Sequence, residues 1–569
     1  MKKIYTTLVI ALVSINCFGQ APNWAWAKRM GSTSADDGRA IITDKLGNVY
    51  TTGSFRGTVD FDPGAGTFNL TALSTVDIYI SKLSPSGNFL WAKQISGSGT
   101  LDNGQGNSIS VDTSDNIYVT GCFKGTFDFD PGAGLFGLTS TGFGDAFITK
   151  FSSSGNLIWA KAIGGTNIAY GNSITVDPFG NIYTDGTFQG TADFNPGAGT
   201  FNLTSAGMDD IFISKLDNSG NFIWAKSFGD VMSDFCWAIA TDAFGNVYTT
   251  GGFNGTVDFD PGGGTFILSA PGGYAYIYIS KFDSSGNFVW AKDFVGNSSL
   301  IGQSVKVDAL GNVYTIGLYD GSIDFDPGSG TFILPWTGTG FNIYISKLDS
   351  SGNFVWAKDM GGVTDDRGFC IDLDPSGNIY TTGTFKGTAD FDPNSGIFNL
   401  TSAGDYDVFV SKLDNSGNFI WATSIGGTGE EHCNAITVDT FGSVEVTGYF
   451  KSYYASFGST TLMNADTVFS SQDIFVAKLN STMGISEMNN YQFNFTISPN
   501  PFTSQTTITF SEDKPHSLKL TDLLGKDLKT WHFTGKELKL ERGDLKSGIY
   551  FLQITDEKNK VTNKKIVIE

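Results

Sequence analysis

The sequence predicts an all-β chain: seven four-stranded sheets closed into a ring, followed by a small immunoglobulin-like (Ig-like) β-sandwich. Three observations carry this prediction. A tryptophan recurs at Trp26, Trp91, Trp159, Trp224, Trp290, Trp356 and Trp421, spaced by 65, 68, 65, 66, 66 and 65 residues. Each unit holds four strand-like runs and no helical periodicity. With 72 glycines and 14% aromatic residues, the chain is rich in turns and in large packing groups.

Taken from the N-terminus, Lys2 and Lys3 precede an apolar run from Leu8 to Val13 and then Cys17-Phe18-Gly19-Gln20. That order of charged, apolar and small residues predicts a secretory signal over 1–20. Asn16 makes Cys17 a poor lipidation site. No later stretch has the eighteen or so uninterrupted apolar residues of a membrane span.

Residues 21–480 are the repeats. From Ile343 to Lys358 two apolar runs flank Asp-Ser-Ser-Gly-Asn, a β-hairpin whose glycine supplies a positive φ. In the sixth unit Phe369–Asp374 and Ile379–Phe385 make the first two strands, and Asp407–Leu413 and Asn418–Thr423 the last two. Units this long with four strands predict propeller blades, because solenoid coils are much shorter. First, second and third strands each occur seven times, but a fourth strand follows a third only six times. Trp24-Ala-Trp-Ala-Lys28 is the missing one, so the N-terminal strand should complete the seventh blade and close the ring. The recurrent tryptophans should fill the space between blades.

The pattern Asp-x-x-Gly-Asn-(Val/Ile)-Tyr, Thr-Gly, Lys-Leu-(Asp/Ser)-x-Ser-Gly-Asn-Phe-x-Trp resembles the seven-bladed β-propeller repeats (SBBP type) of bacterial surface proteins. The resemblance covers residues 22–480 and brings no single activity with it.

Residues 481–490 read as a linker, and 491–569 as a separate domain of alternating runs such as Thr506–Phe510 and Lys536–Leu540. Here Ser498-Pro-Asn-Pro-Phe502, Leu523-Leu-Gly-Lys526, Leu545-Lys-Ser-Gly-Ile-Tyr-Phe551 and Lys564-Lys-Ile-Val-Ile568 resemble the C-terminal sorting domain of the type IX secretion system. Its motif residues are Pro499, Asn500, Pro501, Gly525, Gly548, Tyr550, Lys564 and Lys565. The resemblance implies a Bacteroidetes-type, Gram-negative bacterium, the type IX machinery as partner, and secretion or anchoring at the outer cell surface with removal of this domain.

Composition narrows the remaining partners. The net charge is −21, yet residues 485–569 carry 12 Lys+Arg against 11 Asp+Glu, so the acidity lies in the repeats. An acidic surface repels nucleic acid and anionic lipid, leaving cations, basic proteins or neutral glycans. Cys122, Cys236, Cys370 and Cys433 are far apart in apolar surroundings and read as buried free thiols. Ring closure would bring Cys370 near Cys433.

Repetition sorts the polar candidates. Asp44, Asp112, Asp177, Asp242, Asp308, Asp374 and Asp439 precede tight turns, and Lys82, Lys150, Lys215, Lys281, Lys347, Lys412 and Lys478 recur in every unit. Both sets read as structural. Asp60-Phe-Asp-Pro-Gly64 returns at Asp128, Asp258, Asp324 and Asp390, with Asn195 replacing the second acid in the third unit. Five carboxylate pairs result: Asp60 with Asp62, Asp128 with Asp130, Asp258 with Asp260, Asp324 with Asp326, and Asp390 with Asp392. Each pair could supply two oxygens to a weakly held calcium ion. The alternative is a hairpin corner, and no other cofactor is suggested.

The loops before the first strands of units one, six and seven break the symmetry most. They carry Asp36, Asp37 and Arg39; Asp365, Asp366 and Arg367; and Glu430, Glu431 and His432. In a closed ring these units are consecutive, so the nine residues form the predicted ligand face, with solvated loop charge as the alternative. Histidine occurs elsewhere only at His516 and His532, and no serine-elbow, phosphate-loop or zinc-helix motif appears. No catalytic residue is assigned. The predicted role is a non-enzymatic binding or adhesion module. The alternatives are a polysaccharide-active propeller enzyme using loop carboxylates and a calcium-binding structural surface protein.

Overall fold

The computed structural model describes residues 21–298, 300–336, 338–466, 471–481, 495–521, 527–556 and 561–568. The expected signal 1–20, linker positions 482–490 and Gly525 lie outside the described residues. The chain divides into two compact units, Met1–Thr482 and Met483–Glu569. Among the described residues no helix is long and apolar enough to cross a membrane.

Among its described residues the first unit holds seven four-stranded antiparallel sheets. Their first strands are Asp37–Thr43, Asn103–Val111, Ala169–Val176, Phe235–Thr241, Leu300–Val307, Arg367–Leu373 and Glu431–Val438. We number the sheets one to seven in that order. Each first strand packs on the next, and the seventh returns to the first. Second and third strands, such as Val49–Phe55 and Asp77–Leu83, are buried almost throughout because a neighbouring sheet covers each face. Their apolar runs are accordingly continuous rather than alternating. Sheet seven takes its fourth strand from the N-terminus: Trp24–Met30 pairs with Asp473–Leu479, setting Trp26 opposite Lys478 as Trp91 is opposite Lys82.

Between second and third strands a short hairpin reaches back to the preceding sheet. Gly97 pairs with Phe127, Gly165 with Ala192, Gly296 with Ile323, Gly362 with Ala389 and Gly427 with Ala455. The outer strands of these sheets are thus partly covered by their successors.

The tight-turn end of each sheet shows why the repeated residues recur. In sheet one Asp44 Oδ1 accepts from the amides of Leu46 (3.0 Å) and Asn48 (2.9 Å), and Oδ2 from Asn48 Nδ2 (2.8 Å) and Tyr50 Oη (3.1 Å). Lys82 Nζ lies 3.5 Å from Asp44 and 4.6 Å from the centre of the Tyr50 ring. Asp112, Asp242, Asp308 and Asp374 repeat the carboxylate scheme. Sheet seven departs from it, with Lys478 Nζ between Asp439 (2.8 Å) and the buried Glu445 (2.7 Å).

The tryptophans lie between sheets, as predicted. Trp26 Nε1 donates to Pro85 O (3.1 Å), and its indole covers Gly87, where an added Cβ would lie 2.8 Å from Cδ2. With φ of 75° as well, this turn requires glycine. Trp290 is equivalent, donating to Ser350 O at 3.4 Å. All four cysteines described are free thiols.

The second unit is a connected antiparallel set of Phe495–Ser498, Gln505–Thr521, Asp527–Glu541, Gly548–Asp556 and Val561–Ile568. Phe502, Ile508, Leu518, Leu552, Ile554 and Ile566 are among its core. Asn500 Oδ1 accepts from the Val567 amide (2.8 Å) and Tyr550 Oη donates to Lys546 O (2.7 Å), so these two motif residues brace the last strands. Gly548 pairs with Ile568 and Lys565 with Phe551; the Lys564 side chain is exposed opposite Leu552. Pro499 and Pro501 flank Asn500 just after the first strand.

Candidate functional site: the loop rim of sheets six, seven and one

In sheets one, six and seven the first strand carries a β-bulge after its second or third residue, between Gly38 and Ala40, Gly368 and Cys370, and Cys433 and Ala435. The extra residue is Arg39, Phe369 or Asn434, and the bulge re-aims it from the sheet toward the rim.

These three sheets are brought together. Asn434 Nδ2 donates to Asp37 Oδ1 (3.0 Å) and Gly38 O (2.8 Å), tying sheet seven to sheet one. His432 Nδ1 is 3.0 Å from Asn434 Oδ1. The imidazole stacks on Phe369 of sheet six at 4.5 Å and on Tyr449 at 5.1 Å. Around it lie three ion pairs: Arg39 Nε–Asp37 (3.0 Å), Arg367 Nη2–Asp365 (2.6 Å) and Lys451 Nζ–Glu430 (2.6 Å). Tyr406 Oη also donates to Asp365 (2.7 Å), and Tyr449 Oη to Glu430 (3.3 Å).

The electrostatics follow from these contacts. Burial lowers the His432 pKa from its ordinary value, against the pull of Asp37 and Glu430, so the ring is neutral near pH 7. Burial would raise the Asp365 carboxyl, but Arg367 and Tyr406 outweigh it and hold the group below the usual range.

Three of the nine predicted rim residues are not on the rim. Asp36, Asp366 and Glu431 are 0% exposed. Asp36 accepts from the Ser32 (2.8 Å) and Arg56 (2.9 Å) amides; Asp366 from those of Gly362 (2.7 Å) and Lys386 (3.1 Å); Glu431 from that of Ser452 (3.2 Å). They hold the loops together from beneath, because side chains next to each other in an extended segment point opposite ways. Burial raises each of their pKa values to about 7. Asp234 occupies the same place in sheet four, accepting from Asp230 (2.8 Å) and Asn254 (2.9 Å) amides. The repeats aligned on their bulges identify it, whereas charge clustering along the chain does not. Asn434, Tyr449 and Lys451 escape sequence reasoning for a related reason, since their partners lie on other strands.

The Asp-Phe-Asp-Pro-Gly motif is a corner in this structure. Asp60 Oδ1 accepts from Asp62 (3.0 Å) and Phe68 (2.8 Å) amides, and Asp62 Oδ1 from Gly64 (2.8 Å). Phe61 is fully buried against Phe55 and Tyr79. Asp128, Asp258, Asp324 and Asp390 repeat the role of Asp60, each accepting two amides across its corner. The second acids repeat the role of Asp62. Asp130 accepts from the Gly132 amide (2.8 Å), Asp260 from Gly262 (2.9 Å), Asp326 from Gly328 (2.8 Å) and Asp392 from Asn394 (3.0 Å).

These acids, Asp62, Asp130, Asp260, Asp326 and Asp392 with their partners, are the ones expected to offer oxygens to calcium, and in the structure they serve the turn as hydrogen-bond acceptors. One oxygen of every acid is turned onto backbone amides of its own corner, and Asn195, which carries no charge, makes the same bond to Gly197 (2.9 Å). The motif thus selects a turn acceptor rather than a negative charge. Among the described residues no group of three or more His, Cys, Asp or Glu side chains is placed to hold a metal.

Comparison with known proteins agrees with this architecture. A beta-propeller repeat model matches residues 25–54, 90–121 and 158–187, each match running from the fourth strand of one sheet to the second strand of the next. A secretion system C-terminal sorting domain model matches 496–569. An uncharacterized WD repeat-containing protein of Acanthamoeba polyphaga mimivirus is 25% identical over 80% of this chain and 38% of its own length. The regulatory protein FlaEY of Caulobacter vibrioides is 26% identical over 28% of this chain and 17% of its own. The chain therefore spans well under half the length of these curated relatives. Among solved structures, the polysaccharide lyase PL25, an ulvan lyase, aligns with TM-score 0.36 and 12% identity over 80% of this chain and 96% of its own. PorZ, a surface component of the type IX secretion system of Porphyromonas gingivalis, aligns with TM-score 0.22 and 11% identity over 94% and 81%. Likenesses at these scores carry no argument about function. The two family matches do: this chain carries SBBP-type beta-propeller repeats in its first unit and, as its second, the C-terminal sorting domain that implies the type IX secretion route to the outer cell surface.

Proposed function

We propose that the protein is a cell-surface binding or adhesion module: a seven-bladed propeller displayed on a Bacteroidetes-type bacterium after type IX export, with the Ig-like tail as its export address. The seven sheets are read as blades and the rim of blades six, seven and one as the ligand face. The observation that carries this reading is the trio of half-exposed ion pairs around His432, contributed by three consecutive sheets. Such a rim offers both charges at fixed positions to a polar partner.

The same geometry favours binding over catalysis. A general acid needs a raised pKa and contact with substrate. Here the raised carboxyls, Asp36, Asp366 and Glu431, are sealed beneath the loops, while the rim carboxylates Asp37, Asp365 and Glu430 are paired with cations. A glycan array run beside a reducing-sugar release assay on the mature full-length chain tests this. Binding without release is expected; release of reducing ends that Asp37→Asn or Glu430→Gln abolishes would make the protein a polysaccharide-active enzyme.

A further inference from the structure

We propose a second site on the same rim, at sheets three and four: an aromatic platform formed by Trp237 and Phe235 that takes the ring of an uncharged sugar. In a seven-membered cycle these sheets are the farthest from sheet seven. The inference does not depend on the charged rim described above.

Symmetry isolates the platform. Trp237 is the bulge residue of sheet four, equivalent to Arg39, Asn107, Asn172, Gln303, Phe369 and Asn434. At three of those places the asparagine amide bonds the next sheet, Asn107 to Gly171 O (2.9 Å), Asn172 to Cys236 O (2.8 Å) and Asn434 to Gly38 O (2.8 Å). Trp237 forgoes that bond and leaves a large ring in solvent at 41% exposure. Phe369 is the other aromatic in the series, but its ring is covered by His432. Phe235 stacks on Trp237 at 6.0 Å and 17°, which holds the indole in one orientation. Asn172 of sheet three donates to the Cys236 carbonyl between these two residues, which ties sheet three to the platform.

The polar surroundings suit hydroxyl groups. Asp209 lies against this strand, its carbonyl accepting from the Asp234 amide at 2.7 Å. Its carboxylate is fixed by Gln189 Nε2 (2.9 Å) and Ser233 Oγ (3.0 Å), with lone pairs left over. A carboxylate and an amide held side by side can take the two hydroxyls of a vicinal pair, while the C–H face of a sugar ring lies on the indole. The segments 162–176, 186–193, 203–212 and 227–241 contain no Lys or Arg, and the repeats are acidic overall. An anionic ligand finds no counter-charge there.

Calorimetric titration of the mature full-length chain with cellohexaose, laminarihexaose, xylohexaose and chitohexaose tests the proposal. At least one should bind, with affinity reduced about tenfold or more by Trp237→Ala and within about threefold of wild type for Trp237→Phe. Arg367→Ala should leave this binding unchanged, which separates the platform from the charged rim. Near-ultraviolet circular dichroism of each variant confirms that it is folded. No binding by any of the four, equal binding by a folded Trp237→Ala, or loss of binding in Arg367→Ala would overturn the proposal. So would a protein partner captured through Trp237 in the absence of saccharide binding.

Discussion

The two ends of the sheets in the first unit follow different rules. At the tight-turn end of sheets one to six, one scheme of aspartate, turn amides, tyrosine and lysine recurs, and the indoles of Trp26, Trp91, Trp159, Trp224, Trp290 and Trp356 each seat on the next sheet's turn. At the loop end, the bulge residue is arginine, asparagine, tryptophan, glutamine or phenylalanine according to the sheet. Where every sheet needs the same contact to pack on its neighbour, the residue cannot drift. Where the backbone is already held by the strands below it, side chains are free to differ, and the differences mark the candidate sites. The buried carboxylates under the loops show that not every break in symmetry is functional.

Five perturbations test this contrast, from the largest expected effect down. Trp290→Ala removes an inter-sheet indole that is 8% exposed and should cost about 3–5 kcal/mol in a urea unfolding experiment. A loss below about 1 kcal/mol would mean the indole is not part of the structural scheme.

The second concerns Asp185, fully buried in sheet three and accepting from Cys236 Sγ at 2.8 Å. Burial raises its pKa to about 7, as for Asp36, Asp234, Asp366 and Glu431. With a folded pKa above the unfolded one, its contribution is fully present below about pH 4 and is lost as pH rises through 7, by at most about 1.4 kcal/mol per pH unit. Asp185→Asn should therefore raise the melting temperature at pH 8 relative to wild type more than at pH 5. Parallel pH profiles for the two proteins would rule this out.

Third, Asp366→Ala should destabilise by about 1–3 kcal/mol, since two buried amides lose their acceptor. A merely weakened ligand with unchanged melting would return Asp366 to the rim. Fourth, Asn434→Ala breaks the bond between sheets seven and one and should cost about 1 kcal/mol, read as a shift in urea midpoint. Fifth and smallest, Arg367→Ala should change stability by no more than about 0.5 kcal/mol while reducing retention of a partner held at the charged rim of sheets six, seven and one, and leaving saccharide binding at Trp237 as it is. A large drop in stability would place Arg367 with the structural residues instead.

Much of the architecture was legible in the order of residues. The tryptophan spacing, the four apolar runs per unit and the count of fourth strands are local properties, and they predicted the sheet pattern and the pairing of Trp24–Met30 with Asp473–Leu479. The sorting domain was legible for the same reason, since its motifs are short and contiguous. The paired acids of the corners were legible as a repeat, and the sequence left calcium binding and a hairpin corner both open; the structure places the amides of Gly132 and Gly262 against Asp130 and Asp260. The proposed ligand face was legible only as a neighbourhood: sheets six, seven and one do adjoin, but three of the nine chosen residues face inward.

What the sequence determined by itself is therefore what repeats or lies close along the chain: the strand pattern, the turns and the export tail. Tertiary structure alone decided which of two adjacent carboxylates is buried, as with Asp36 and Asp37, because a strand sends successive side chains to opposite sides and a bulge resets that alternation. It also decided the partners. Asn434 meets Asp37, 397 residues away, only because the ring closes, and His432 meets Phe369 only because neighbouring sheets pack. Charge along a chain shows which residues can act, and the packing of the sheets selects those that reach solvent.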